Sequence, residues 1–227
     1  MNHLRCLLWV ATALLLASPL AQAAPSEKDS AGGLREALTQ GAGNAVTTLG
    51  RKDGFLSNPK VHIPLPESAR QAEKLLRLMG KGEELDALET AMNRAAEAAV
   101  PKAKALLISA VRQMSFDDAR QILTGGEDSA TRYFRSKTEA ALTAQFLPIV
   151  KKTTGKLKLT EQYNTLADKA AGLGLLKPED SSVERYVTHK ALDGLYLMIA
   201  EEERAIRKNP LAAIGSLARK VFGSLGN

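Results

Sequence analysis

Ala191 to Ala200, read as Ala-Leu-Asp-Gly-Leu-Tyr-Leu-Met-Ile-Ala, is apolar on nearly every side when wound as a helix, and Asp193 is its only charged side chain. A helix of that kind has to be covered on most of its faces. The run therefore predicts a central helix, from about Ser182 to Lys208, with other helices packed around it. The rest of the chain agrees. It shows no strand-like alternation of useful length, no 20–50-residue repeat and no heptad array. The expected fold class is all-α, a compact multi-helix bundle of about 8–9 helices.

The other helices are read from apolar spacing and from their stops. Leu34, Leu38, Ala42, Val46 and Leu49 form one stripe, predicting a helix from about Ala31 to Leu49. Pro66 opens a second helix through Met79, and Gly80 and Gly82 end it. A longer run from Glu83 to about Met114 must kink or break at Pro101, which has no N–H to donate. Ser115, with Asp118 three residues on, imitates a capping box for a short helix that stops at Thr124-Gly125-Gly126. A helix from Glu127 carrying Tyr133 and Phe134 is followed by a separate amphipathic segment from Thr138 to about Thr154, bent at Pro148. Thr160 to Ala171 is the next helix. Asn209-Pro210 restarts a last one, with Leu211 to Leu225 amphipathic.

Gly50 to Pro66 is the longest stretch without helical character. Its prolines and Asp53-Gly54 favour turns and extended backbone. Phe55, Leu56, Val61, Ile63 and Leu65 are too apolar for a free loop, so the segment is expected to cross the helices as a packed, Pro-rich extended strap.

Residues 1–23 carry an address. A basic start to Arg5, a twelve-residue apolar run from Cys6 to Ala17, a break at Ser18-Pro19 and the small-x-small Ala21-Gln22-Ala23 fit a cleavable export signal. The apolar run is well short of the ~20 residues that span a bilayer as a helix. The expected organisation is a signal peptide over 1–23, a flexible segment over 24–30 and a single helical domain over 31–227, working in the periplasm. Cys6 is the only cysteine and precedes most of the apolar run, so no lipid anchor, disulfide or thiolate is expected in the processed chain.

Lys and Arg outnumber Asp and Glu by 31 to 25, but the two signs interleave along the helices as on a solvated surface. Aromatic residues make up 4% of the chain, too few for the stacking surfaces that single-stranded nucleic acids use. No nucleic-acid partner is expected.

Candidate chemistry is sparse. His189 lies four residues from both Arg185 and Asp193, which puts the three on one helix face. The arrangement suits either a charge ladder or a base with its orienting acid. Asp193, inside so apolar a run, is expected to be buried against a cationic partner. Asn93, Arg94 and Glu97 form a polar patch among alanines, suited to interhelical ion pairs or to a cleft wall. Thr124-Gly125-Gly126 precedes a helix, but Glu127 and Asp128 would repel a phosphate there, so a plain turn is expected. No His-Glu-x-x-His sequence or nucleophile elbow occurs, and no catalytic residue, cofactor or metal is assigned.

Glu36-Ala37-Leu38-Thr39-Gln40-Gly41, Asp53-Gly54-Phe55-Leu56, Ile63-Pro64-Leu65-Pro66, Met92-Asn93-Arg94-Ala95-Ala96-Glu97, Ile122-Leu123-Thr124-Gly125-Gly126, Arg185-Tyr186-Val187-Thr188 and Ala191-Leu192-Asp193-Gly194-Leu195 occur in that order. The series resembles the bacterial domain-of-unknown-function family 4197, from about Ala31 to Phe222. The resemblance implies an exported helical envelope protein of Gram-negative bacteria and carries over no activity and no site residue.

The expected function is non-catalytic binding of an envelope protein partner or an apolar small molecule, with Phe55, Leu56, Ile63, Arg94, His189 and Asp193 as candidate contacts. Two alternatives stand beside it. One is an envelope enzyme with a polar site near Arg94, His189 and Asp193. The other is a peripheral protein touching anionic membrane through Leu211 to Leu225.

Overall fold

The structure is a computed structural model of the 227-residue chain, and residues 27–174 and 176–209 are described. Every regular element among them is helical: α1 (Glu27–Gly50), α2 (Glu67–Leu78), α3 (Gly82–Ala99), α4 (Ala103–Arg112), α5 (Phe116–Thr124), α6 (Ser129–Thr154), α7 (Lys158–Gly172) and α8 (Val183–Lys208), with short 3-10 turns at Val100–Lys102 and Pro178–Asp180. None of these helices is long and apolar enough to cross a membrane. The expected export signal at residues 1–23 and the expected amphipathic helix from Leu211 to Leu225 lie outside the described residues.

α8 is the central helix, as its apolar run requires. It packs along α6 and also meets α1, α3 and α7. Ala191, Leu192, Leu195, Tyr196 and Ile199 are all buried in the common core with Leu34 and Leu49 of α1, Met92 of α3 and Phe134, Leu142 and Phe146 of α6. Pro101 does break its run: α3 ends at Ala99, a 3-10 turn holds the proline, and α4 resumes at Ala103. Ser115 and Asp118 form the reciprocal capping box of α5.

Three expectations change. The segments on either side of Lys137 are one helix, α6, which continues through Pro148 to Thr154. No turn residue separates Phe134 from Leu142, and both are fully buried on the same side, so packing favours continuity. Helix α1 begins at Glu27, a turn earlier than its stripe implied, and Ala31 is already buried. Residues 51–61 are not extended; they coil through turns on either side of Asn58, and residues 62–66 run without turn or helix. Asp53 adopts a left-handed backbone (φ 65°), which Asp tolerates better than most residues. Gly54 is then required by proximity, because a Cβ there would stand 2.4 Å from the carbonyl oxygen of Leu49.

Candidate functional site

Four of the five apolar residues singled out between Phe55 and Leu65 are buried: Phe55, Val61, Ile63 and Leu65. Leu56 is half-buried. What secures them is the polar patch of α3. Glu97 accepts hydrogen bonds from the backbone N–H of both Phe55 and Leu56 (3.1 Å each). Asn93 accepts from the N–H of Ile63 (2.9 Å) and donates to its carbonyl (2.8 Å). Arg94 bridges Glu97 (2.7 Å) and Asp53 (2.8 Å), and those two carboxylates hold its guanidinium above its ordinary pKa. A buried segment outside regular structure must find partners for its backbone groups, and these side chains supply them. Gly194 of α8 completes the seat. A Cβ there would come within 2.9 Å of the Phe55 ring and 3.2 Å of Val61.

His189 and Asp193 share no hydrogen bond or ion pair with that patch among the described residues. His189 Nδ1 lies 3.5 Å from Asp193. The arginine of the ladder comes from elsewhere: Arg185 is exposed, and Asp193 instead meets Arg135 of α6 at 3.0 Å. Asp193 is not buried. Its side chain is 39% exposed, because the Asp193 face of α8 borders a cleft of about 610 Å³ between residues 60–64 and the first half of α6. Ile63 also lines that cleft, while His189 lines a neighbouring depression beside Tyr163 and Tyr186. Burial raises the Tyr186 hydroxyl to about 12 and the Tyr196 hydroxyl to about 12.

A different surface is apolar. Ala69, Ala72 and Leu76 of α2 face Leu159, Leu166, Ala167 and Ala170 of α7 across a groove of about 380 Å³, with Leu85 and Leu88 of α3 along its floor. The two walls are linked by a hydrogen bond from Ser68 to the Tyr163 hydroxyl (3.3 Å). Arg77 of α2 reaches Asp86 of α3 at 2.6 Å and fixes the far end of the wall. Helix α2 buries no residue fully. Leu75, Leu78 and Met79 near its end are more than half exposed, and Leu166 on the opposite wall is 69% exposed. Sequence reading missed this groove. Its signal was an excess of large apolar residues in α2 and α7 beyond what one buried stripe of each helix needs.

Glu203 was also missed. Its carboxylate is buried and accepts from the N–H of Ala130 (3.0 Å), from the N–H of Thr131 (2.9 Å) and from the Thr131 hydroxyl (2.9 Å). It thereby occupies the start of α6, where backbone donors have no partner within the helix. Arg207, one turn further along α8, holds it at 2.9 Å and donates to the carbonyl of Ile122 (2.8 Å). The Thr124–Gly126 turn is thus a structural junction closed by a protein carboxylate, as expected of a plain turn.

Among known proteins, no curated sequence and no solved structure matches this chain. One family does match, over residues 24–223, under the description "Protein of unknown function (DUF4197)". That span contains every helix and both surfaces described above, and the chain belongs to the DUF4197 family.

Proposed function

We propose that this protein is an exported, non-catalytic helical protein of the cell envelope that holds an apolar small molecule in the groove between α2, α3 and α7. The groove is the observation that carries the reading. Its volume of about 380 Å³ falls within the roughly 300–1,000 Å³ of small-molecule sites, which are mostly apolar with few polar groups. Ser68, Gln162 and the Tyr163 hydroxyl are the polar groups along it. An open wall of leucine and alanine side chains has a standing cost in water, and an apolar guest relieves it. The candidate polar residues Arg94, Asn93 and Glu97 support the same reading, since they are engaged in holding the 51–66 segment. The export part rests on the signal-like residues 1–23.

The test uses N-phenyl-1-naphthylamine, a neutral probe whose fluorescence rises in apolar surroundings. Binding with Kd in the micromolar range is expected, with a loss of at least about ten-fold in Ala72→Trp, which fills the groove, and in Leu166→Asp. A ten-fold loss is about 1.4 kcal/mol, within reach of a single leucine contact. Absence of binding, together with a dimer or larger complex that Leu166→Asp disperses, would replace the small molecule with a protein interface.

A further inference from the structure

The apolar groove runs into a space of different chemistry. Ser68, Tyr163 and Leu176 line both the groove and the depression of about 380 Å³ beside Tyr186. Leucine and alanine side chains make up most of the groove, whereas Glu67, Glu179 and Asp180 line the depression together with Arg70, Lys177 and Lys190. Where the two spaces meet, the Ser68 hydroxyl donates to the Tyr163 hydroxyl at 3.3 Å. Tyr163 in turn donates to the carbonyl of Asp180, also at 3.3 Å. Both bonds are longer than the about 2.5–3.0 Å of a close hydroxyl bond, so the hydroxyl of a guest can compete for these partners.

The charges of the depression balance, three carboxylates against three Lys and Arg side chains. Glu67 and Arg70 are paired with each other, and the Lys190 ammonium lies over the Tyr186 ring at 5.7 Å. Asp180, Arg70 and Glu67 all act electrostatically on the Tyr186 hydroxyl, so both signs of charge surround one point. A charged head would meet its own sign there as well as the opposite one. A neutral head with several hydroxyls finds donors in the cations and acceptors in the carboxylates and the Asp180 carbonyl. The apolar part has a matching length. From Ser68 to Leu76 the α2 wall advances eight residues, about 12 Å of helix, the reach of an extended chain of roughly eight to ten carbons.

We infer that groove and depression form one site for a single-chain amphiphile, with its alkyl tail between α2 and α7 and an uncharged, hydroxyl-rich head at Ser68, Tyr163 and the Asp180 carbonyl. The inference rests on the groove reading and adds the head to it.

Isothermal titration calorimetry with n-octyl-β-D-glucoside, kept below its micelle concentration, tests it. Octanoate and octyltrimethylammonium carry the same tail on a charged head, and methyl glucoside is the head without the tail. The octyl glucoside should bind at least about ten-fold more tightly than either charged amphiphile, and methyl glucoside should not bind. Ser68→Ala/Tyr163→Phe should weaken the octyl glucoside at least about ten-fold and bring it within about two-fold of octanoate. Leu166→Asp should weaken it through the tail. A charged amphiphile that binds as tightly as the glucoside would overturn the neutral head, and a lead over octanoate that survives the double variant would overturn the head's place at Ser68 and Tyr163. Failure of the glucoside while N-phenyl-1-naphthylamine still binds would overturn this inference alone; failure of both would overturn the groove reading with it.

Discussion

Replacing Glu203 by alanine should be among the most damaging single changes in the chain, although nothing about Glu201-Glu202-Glu203 sets it apart in sequence. The carboxylate accepts two backbone N–H bonds and hydroxyl bonds from Thr131 and Ser129 at the start of α6, and pairs with Arg207. Its removal strips the partner from those backbone donors, each costing about 1–3 kcal/mol when left buried and unsatisfied. It also leaves a guanidinium whose side chain is 17% exposed without its carboxylate. Breaking a buried ion pair from one side costs about 3–5 kcal/mol. Water reaching Arg207 reduces that penalty, so a loss of about 3 kcal/mol is expected. Glu203→Gln, which keeps an acceptor, should lose about half as much. Equilibrium urea unfolding reads both as a lower midpoint at unchanged m-value. Because Arg207 also holds the Ile122 carbonyl, the Glu203→Ala and Arg207→Ala losses should not add, with a coupling of about 1 kcal/mol or more. A loss below about 1 kcal/mol in Glu203→Ala would refute the view that this carboxylate organises the α5–α6–α8 junction.

Phe55→Ala should cost about 3–5 kcal/mol, since the ring is fully buried against Gly194 and the cavity cannot close; the same urea experiment measures it. Asp193→Asn, by contrast, should change stability by less than about 1 kcal/mol, because its pair with Arg135 is solvent-screened. Ser115→Ala should lower stability by about 1 kcal/mol through loss of the α5 cap. Tyr186 and Tyr196 hydroxyls are raised to about 12 by burial, which means the folded state favours their neutral form. Their contribution is complete below the ordinary value near 10 and declines as pH rises from there through about 12. Tyrosinate absorbance followed alongside unfolding should show that order.

The helices were legible because each rests on local chemistry: an apolar stripe for α1, a proline break between α3 and α4, a capping box for α5. Long-range placement was not. Asp193 reads as buried when Ala191–Ala200 is taken alone, yet an apolar run cannot reveal that one side of α8 borders a cleft. Arg185 and Arg135 are equally plausible partners for it by charge, and only the packing of α6 on α8 selects Arg135. The patch around Asn93 and Glu97 was visible, but its target was not, because backbone N–H groups of Phe55, Leu56 and Ile63 carry no sequence signature. The groove escaped for a related reason. Leu76 and Leu166 look like ordinary core residues until α2 and α7 are seen to stand apart on α3. Of the site residues proposed from sequence, Ile63 and Asp193 line the charged cleft, His189 lines the depression next to it, and none lines the groove.

The central claim is that the α2–α3–α7 groove takes an apolar guest, and methyl NMR of leucine-labelled protein titrated with N-phenyl-1-naphthylamine tests it most directly. The methyl groups of Leu76, Leu88, Leu159 and Leu166 should shift together with one affinity, while those of Leu34 and Leu195 in the closed core stay in place. Shifts confined to Leu197 beside the charged cleft, or no shift at saturating probe, would contradict the account.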